Sequence, residues 1–421
     1  MSGDGQSRRI VVTGMGAVTP LGVDVPTFWE RLVAGESGVG RTQAFDPADL
    51  RSQMAGEVLD LDASGVLDRK ELRRNDRTTQ MALVATKEAM AGAGLPERLE
   101  GQLAEETGML LGSGLGGTTT LIEQIATWKT KGADRVSPFF IPMAIANMAS
   151  GQAAISFGAL GPNFSTTSAC ASSGHAIGEG YEIIKRGDAE VMIAGGCEAP
   201  VLAATVAGFG AMRALSTRND EPEAASRPFD KGRDGFVVAE GAAALVLEEL
   251  AHAEARGAPI LAEVLGYGAT ADAHHITTPS PGGSGAVRAA RRALAKAELD
   301  ADVIDLVSAH ATSTPEGDPT ELQAINTIVG ERASEVSVTA TKSSIGHTLG
   351  AAGAVAAVAT LKALEEGVVP PTINLEDPEE AAGALDLTAN EARERPLEVA
   401  LVNAFGFGGQ NAAVLLRKWA A

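Results

Sequence analysis

Asn163-Phe164-Ser165-Thr166-Thr167-Ser168-Ala169-Cys170-Ala171-Ser172-Ser173-Gly174 is the stretch whose reading decides the fold. The β-branched and hydroxyl residues before Cys170 suit a strand, and the small residues after it open a helical stretch to Gly187. A thiol at such a turn is exposed above the first free N–H groups of a helix, where partial positive charge favours the thiolate. A lone cysteine is more often a small buried core residue, so its partners along the chain must decide.

Working outward, strand-like runs fall at Ile10–Thr13, Met109–Leu111, Val191–Ile193 and Ala243–Leu247, with helical stretches such as Thr78–Gly92 between them. After the Gly266–Thr270 region the pattern restarts. Runs at Ile304–Ser308, Val336–Ala340, Val399–Asn403 and Ala412–Leu416 alternate with helices at Ala286–Ala297, Glu321–Ile328 and Ala351–Glu366. This is an α/β chain whose second half resembles its first. A local echo supports duplication: Lys342-Ser343-Ser344-Ile345-Gly346-His347 leads from a strand into a small-residue helix, as the Cys170 stretch does. Helices this small and apolar belong between layers, which suggests sheets with helices sandwiched between them.

At 421 residues the chain is long enough for two structural halves, and with 45% hydrophobic but only 4% aromatic residues its core must be built from Ala, Val, Leu and Ile. No apolar run reaches transmembrane length, and Met1–Arg9 is polar. These features predict a soluble cytoplasmic protein with a disordered tail over residues 1–8. Two cysteines, Cys170 and Cys197, make no disulfide framework and no zinc spacing. The net charge of −20 repels nucleic acid and anionic membrane. An acidic partner would need a local basic patch, and Arg69-Lys70-Glu71-Leu72-Arg73-Arg74, with Arg77 nearby, is a candidate. Read blandly, it is a solvated helix face.

Gly112-Ser113-Gly114-Leu115-Gly116-Gly117 matches a dinucleotide fingerprint but lacks the acidic residue that should end a second strand. Of six histidines, His310 ends an apolar run before a hydroxyl-rich turn, and His347 lies between a strand and a small-residue helix. A hydrolase wants one histidine and a carboxylate or amide to orient it. Two imidazoles beside one thiol suit carbon–carbon condensation, where one group carries an acyl chain and others hold an enolate oxygen. Phe405-Gly406-Phe407-Gly408-Gly409 is a loop whose N–H groups can approach a reacting carbonyl as an oxyanion hole.

On these motifs, with Gly195-Gly196, Arg227-Pro228-Phe229-Asp230, Arg233-Asp234-Gly235-Phe236 and His310-Ala311-Thr312-Ser313-Thr314-Pro315, the chain resembles the elongating β-ketoacyl-acyl-carrier-protein synthases of the thiolase-fold superfamily. The resemblance runs from Arg9 to Lys418 and implies a five-layered α-β-α-β-α sandwich of two duplicated halves, 9–265 carrying Cys170 and 266–421 carrying His310, His347 and the Phe405–Gly409 loop. It implies Cys170 as the acyl-carrying nucleophile and His310 and His347 as the groups that assist malonyl decarboxylation and hold the thioester oxygen. Lys342 would structure the site, paired with Glu321. The N–H groups of Cys170 and Phe407 would form the oxyanion hole, Phe407 also gating the second substrate. Leu115, Phe140, Thr312, Thr314 and Phe405 would meet substrate, Phe140 from a partner subunit of a homodimer. Lys70, Arg73, Arg74 and Arg213 would meet the acidic acyl carrier protein. No metal or redox cofactor is implied, because loss of CO2 drives the condensation.

Three departures stand out: Ala311 where many members have Gly, Ala404 before the loop in place of a frequent Ser, and Gln410 after it. A thiolase would need a second cysteine near the C-terminus, and a chain-length partner subunit would lack the nucleophile. A type II polyketide ketosynthase is the rival that the residues leave open, along with acyl chain length.

Overall fold

The computed structural model describes residues 8–420, so residues 1–7 of the expected tail lie outside the described residues, while Arg8 pairs with Glu190. The apolar runs become strands: β1 (Ile10–Val18), β2 (Thr107–Gly112), β3 (Asn163–Phe164), β4 (Val191–Glu198) and β5 (Gly241–Glu249) in the first half. The second half gives β6 (Ala262–Ala271), β7 (Leu306–Ser308), β8 (Ser337–Thr339), β9 (Val399–Gly406) and β10 (Gln410–Lys418). Hydrogen bonding joins all ten in the order β8-β7-β9-β10-β6-β1-β5-β4-β2-β3. Within each half the order is third, second, fourth, fifth, first. The duplication is therefore a property of the topology. In both halves three strands are parallel, β8-β7-β9 and β4-β2-β3, and the remaining pairs are antiparallel. The halves join along a short antiparallel seam, Ile10–Val264 to Val12–Ala262, and position 265/266 falls inside β6.

Side-chain alternation builds the layers. On β5, Leu245 and Leu247 face the central core while Ala244 and Val246 face an outer one. On β9, Ala400 and Val402 face the centre while Val399 and Leu401 face the opposite outer core. Helices fill each space. The outer pair α1 (Arg77–Gly92) and α2 (Met148–Phe157) packs on the first half, with Met81, Leu83 and Phe157 against Met109 and Ile193. At the centre lie α3 (Ser172–Arg186) and α4 (Ala352–Glu366), whose Ile177, Tyr181, Val355 and Val358 meet both halves of the sheet. The outer pair α5 (Ser284–Ala297) and α6 (Gly317–Val329) covers the second half through Leu294, Leu322 and Ile325. This is the five-layered sandwich.

Twelve of the fifteen residues of α4 are buried, which only a helix enclosed on all sides requires. Small residues permit that enclosure. A Cβ on Gly353 of α4 would stand 2.8 Å from the amide nitrogen of Gly174 on α3, and one on Gly174 would stand 2.8 Å from the Ala404 methyl. A Cβ on Gly178 would run into the Tyr267 ring. Replacing Gly178 by Ala is therefore expected to destabilise the fold by about 1–3 kcal/mol through overpacking. The check is the urea midpoint; a midpoint equal to that of the parent chain would remove this account of the inner layer.

Candidate active site

The strand expected before Cys170 is only two residues long, because residues 165–171 fold instead into a knot of local hydrogen bonds. Ser172 Oγ accepts from the Ser168 amide at 2.9 Å and donates to the Ala169 carbonyl at 2.7 Å, while Thr166 Oγ1 donates to the Ser172 carbonyl at 2.8 Å. Ala169 is held at φ 50°, a left-handed conformation that side chains disfavour. The turn delivers Cys170 just ahead of α3. The thiol is buried, not exposed. Burial pushes it up to about 12, Glu198 adds to the rise, and Lys342 with the main-chain N–H groups of Phe407 and Cys170 pulls it down. The resting state is thus a protonated thiol, since desolvation outweighs the helix N-terminus.

His310 leaves the end of β7 in a strained turn, with Ala311 at φ 26° and Ser313 at φ 68°. Glu321 on α6 accepts the N–H groups of His310 at 2.8 Å and Ala311 at 2.6 Å, and Asn403 Nδ2 donates to it at 3.0 Å. The carboxylate oxygens are thereby occupied, and the direct Lys342–Glu321 pair expected from the sequence does not form; the two attract through space. Lys342 is buried, which pulls it down to about 8, and Glu321, Cys170 and Asp318 offset part of that fall.

His347 follows Lys342 by one turn and is buried, its ring 5.5 Å from that of His310 and nearly perpendicular to it. Phe236 stands edge-on to His347 at 5.3 Å, and Phe405 lies 5.5 Å from His310. Burial, then the Lys342 charge, hold both imidazoles well below the ordinary 6.5, and at His310 the His347 ring lowers it further. Both rings are neutral at neutral pH. Their Nδ1 atoms are buried without a protein partner.

The loop between β9 and β10 closes the site. Gly408 and Gly409 have φ of 86° and 71°, and a Cβ on Gly406 would stand 3.3 Å from the Cys170 amide nitrogen. The loop is tied outward by Gly408 N–H to the Ile276 carbonyl and by the Asp272 N–H to the Gly409 carbonyl, each 2.7 Å. Beneath it opens a cavity of about 620 Å³ whose wall includes Cys170, His310, His347, Phe405, Phe407 and Glu321. Leu115, Thr312, Thr314 and Arg213 share that wall, the two threonine hydroxyls 3.2 Å apart. Lys342 lies behind the wall. Phe140 and the exposed Lys70, Arg73 and Arg74 lie elsewhere, Arg74 stacking over Phe139 at 4.4 Å. Among the described residues no cluster of three or more His, Cys, Asp or Glu side chains is arranged to hold a metal.

Two family models match, the N-terminal domain of beta-ketoacyl synthases over residues 7–253 and the C-terminal domain over 261–376. The chain belongs to the beta-ketoacyl synthase family. It is 46% identical over 414 residues to a 3-oxoacyl-[acyl-carrier-protein] synthase 2 from Synechocystis sp., covering 98% of this chain and 99% of that one. A Staphylococcus aureus synthase 2 is 44% identical over 416 residues, covering 99% and 100%. Among solved structures, a beta-ketoacyl synthase from Burkholderia phymatum superposes with a TM-score of 0.91 at 36% identity, covering 98% of this chain and all of that one. A type II polyketide ketosynthase in complex with its acyl carrier protein gives 0.90 at 31% identity, covering 98% of this chain and 100% of that one. The match to this family and fold agrees with what the motifs implied.

Other residues that shape the site carry no motif signal. Ser168 Oγ and His175 Nδ1 lie 2.6 Å apart, Asp318 accepts the Ser313 and Phe229 amides, and Glu198 stands in the cavity wall.

The Lys342 charge lowers both the thiol and the two imidazoles, so its removal has opposite visible effects on them. In Lys342→Met the thiol rises, and iodoacetamide should modify Cys170 more slowly at a given pH. The imidazoles also rise, so any acid-side loss of decarboxylation should begin at higher pH than in the parent. Alkylation rates and pH profiles matching the parent would show that the lysine acts by packing alone.

Proposed function

We propose that this chain is an elongating 3-oxoacyl-[acyl-carrier-protein] synthase of fatty-acid synthesis. The observation that carries the reading is one thiol and two neutral imidazoles in one cavity, with the Cys170 and Phe407 N–H groups facing the sulfur. Cys170 attacks the acyl thioester carbon, the bond to the carrier-protein sulfur breaks, and the thiol proton ends on that departing sulfur. The neutral imidazoles are the bases in the cavity able to relay it. Malonyl-carrier-protein then enters, and the N–H donors of His310 and His347 hold its thioester oxygen while CO2 leaves. The resulting enolate carbon attacks the Cys170 thioester. The negative oxygen formed there is met by the Cys170 and Phe407 N–H groups, worth roughly 3–4 kcal/mol per donor in comparable acyl transfers. Collapse releases a β-ketoacyl thioester two carbons longer and frees Cys170 as a thiolate, which takes one proton from solvent to return to the resting thiol.

Neutrality of the imidazoles matters to this assignment. A buried imidazolium would pair with the departing carboxylate and hold it, whereas a neutral ring can donate a hydrogen bond to the developing oxyanion. Burial, with the Lys342 charge added to it, keeps both rings in that state. The cavity wall holds one cysteine, with Cys197 turned into the outer core on the far side of β4, so thiolase chemistry lacks its second sulfur. The higher identity to synthase 2 proteins favours fatty-acid over polyketide elongation.

For partners, exposed Lys70, Arg73, Arg74 and Arg213 offer positive charge on a chain of net −20, which suits an acidic acyl carrier protein. Arg213 stands on the cavity wall, and Thr312 and Thr314 offer hydroxyls to the arm that carries the acyl group. A homodimer is supported by apolar side chains left uncovered at one end: Ile125 and Trp128, Ile141 and Ile145, and Phe164 on edge strand β3. Phe140, absent from its own chain's cavity, would then reach the partner's. No helix among the described residues is long and apolar enough to cross a membrane, and two free cysteines suit a reducing cytoplasm.

Cys170→Ala should abolish elongation of any acyl-carrier-protein, whereas His347→Ala should leave acyl transfer to Cys170 detectable and lose decarboxylation by about 100-fold or more. Product masses with malonyl-carrier-protein decide it, and sustained elongation by Cys170→Ala would sink the assignment. Phe164→Asp should convert the dimer to a monomer by light scattering after gel filtration. A parent chain already monomeric there would remove the dimer.

A further inference from the structure

Glu198 is a fully buried carboxylate in the wall of the Cys170 cavity, and no Lys or Arg forms an ion pair with it among the described residues. It ends β4 next to Cys197, whose side chain turns into the outer core. Both oxygens are fully engaged. Oε1 accepts the Ser113 hydroxyl at 2.8 Å and the Leu115 N–H at 3.0 Å, and Oε2 accepts the Gly114 N–H at 2.7 Å and the Gly350 N–H at 3.0 Å. Ser113 Oγ in turn accepts the Gly116 N–H at 2.9 Å. One side chain therefore ties the 113–116 turn, which carries Leu115 into the cavity wall, to the turn that follows His347.

The glycines on either side make this closeness possible. A Cβ on Gly114 would stand 3.0 Å from Glu198 Oε2, and one on Gly350 would stand 3.0 Å from Ser113 Cα. Four donors converging on two oxygens require an acceptor at both positions. An amide would present its own N–H groups to one pair of donors, and a shorter carboxylate would not reach both turns. Burying a carboxylate without a cation is costly, and here four hydrogen bonds are what offsets it. Burial raises this carboxyl and those donors pull it back. Such an arrangement is not needed to hold a β-strand end. It is what fixes the turn that carries Leu115.

We propose that Glu198 is a positioning residue that sets the acyl specificity of the cavity, by locking the Leu115 turn in place. The inference rests on the condensing activity proposed above and adds the group that shapes its acyl-binding wall. Loss of the lock lets Leu115 move into or out of the space beside Cys170. A long acyl chain, which needs that wall fixed along its length, suffers more than a short one.

The test compares the parent, Glu198→Gln and Ser113→Ala. Each is given acyl-carrier-protein thioesters from butyryl to palmitoyl, and acyl transfer to Cys170 is read by intact mass. Malonyl-carrier-protein decarboxylation is read separately. In Glu198→Gln the palmitoyl-to-butyryl transfer ratio should change by about ten-fold or more, with a smaller loss in decarboxylation. Ser113→Ala, which removes one donor and keeps the carboxylate, should move the ratio the same way by less. An unchanged ratio in both variants overturns the proposal, and so does an equal loss across all chain lengths and decarboxylation. Should Glu198→Gln fail to fold, the ratio in Ser113→Ala decides alone. A parent chain that elongates nothing would refute the condensing reading instead.

Discussion

The close crossing of the two central helices is the constraint on which the rest of the molecule depends. Gly174 and Gly353 let α3 and α4 approach until one backbone touches the other, between the two halves of the sheet. Cys170 sits just ahead of one helix and His347 just ahead of the other. When the helices cross near their starts, the thiol and the imidazole are brought together without either belonging to a loop free to wander. Larger residues at the crossing would separate the helices and the two reacting groups together. The abundance of Ala and Gly and the scarcity of aromatics are thus requirements of the site as much as of the fold.

Depth has a chemical consequence as well. Placed so far inside, every ionisable group pays for its charge in lost hydration, and the direction is opposite for acids and bases. The thiol rises while the imidazoles and Lys342 fall. The site therefore rests with a neutral thiol, two neutral imidazoles and one buried ammonium whose positive charge serves them all. That is a suitable state for a reaction whose charge appears only transiently, as an enolate and an oxyanion. Burial also keeps the resting cysteine from being a strong nucleophile toward solvent-borne electrophiles.

Much of this was legible in the sequence. Apolar runs located eight of the ten strands within about five residues at either end, because burial in a sheet selects such runs, while β6 (Ala262–Ala271) was missed. The thiol, the two histidines and the glycine loop were legible because their chemistry limits which residues serve. Two expectations about the Cys170 turn were mistaken for physical reasons. The residues before Cys170 have strand-like composition, but Ser172 and Thr166 side chains capture the backbone there, and local hydrogen bonds win over propensity. The thiol was expected to be exposed on its turn, yet the Phe405–Gly409 loop, contributed from more than two hundred residues away, covers it. No local pattern carries information about a cover that arrives from the other half.

Beyond Glu321, which the resemblance implied, no pattern announced the buried carboxylates around the turns. Glu198, Glu321 and Asp318 are each almost wholly inaccessible, and each accepts main-chain N–H groups from a segment bearing a reacting or substrate-facing residue. Glu321 holds His310 and Ala311, Asp318 holds Ser313 and Thr314, and Glu198 holds Leu115 and Gly350. Beside them stand Ala169, Ala311, Ser313 and Leu349, non-glycine residues at φ of 50°, 26°, 68° and 44°. Left-handed conformations at such residues cost roughly 1–3 kcal/mol each and persist only where surroundings over-determine them. The carboxylates supply that over-determination at Ala311, Ser313 and Leu349, and the Ser172 hydroxyl supplies it at Ala169. An acid in a sequence is read first as surface charge, and in a chain of net −20 Glu198 and Asp318 attract no notice. Here they act as clamps, fixing the strained backbone that aims a thiol and two imidazoles at one point.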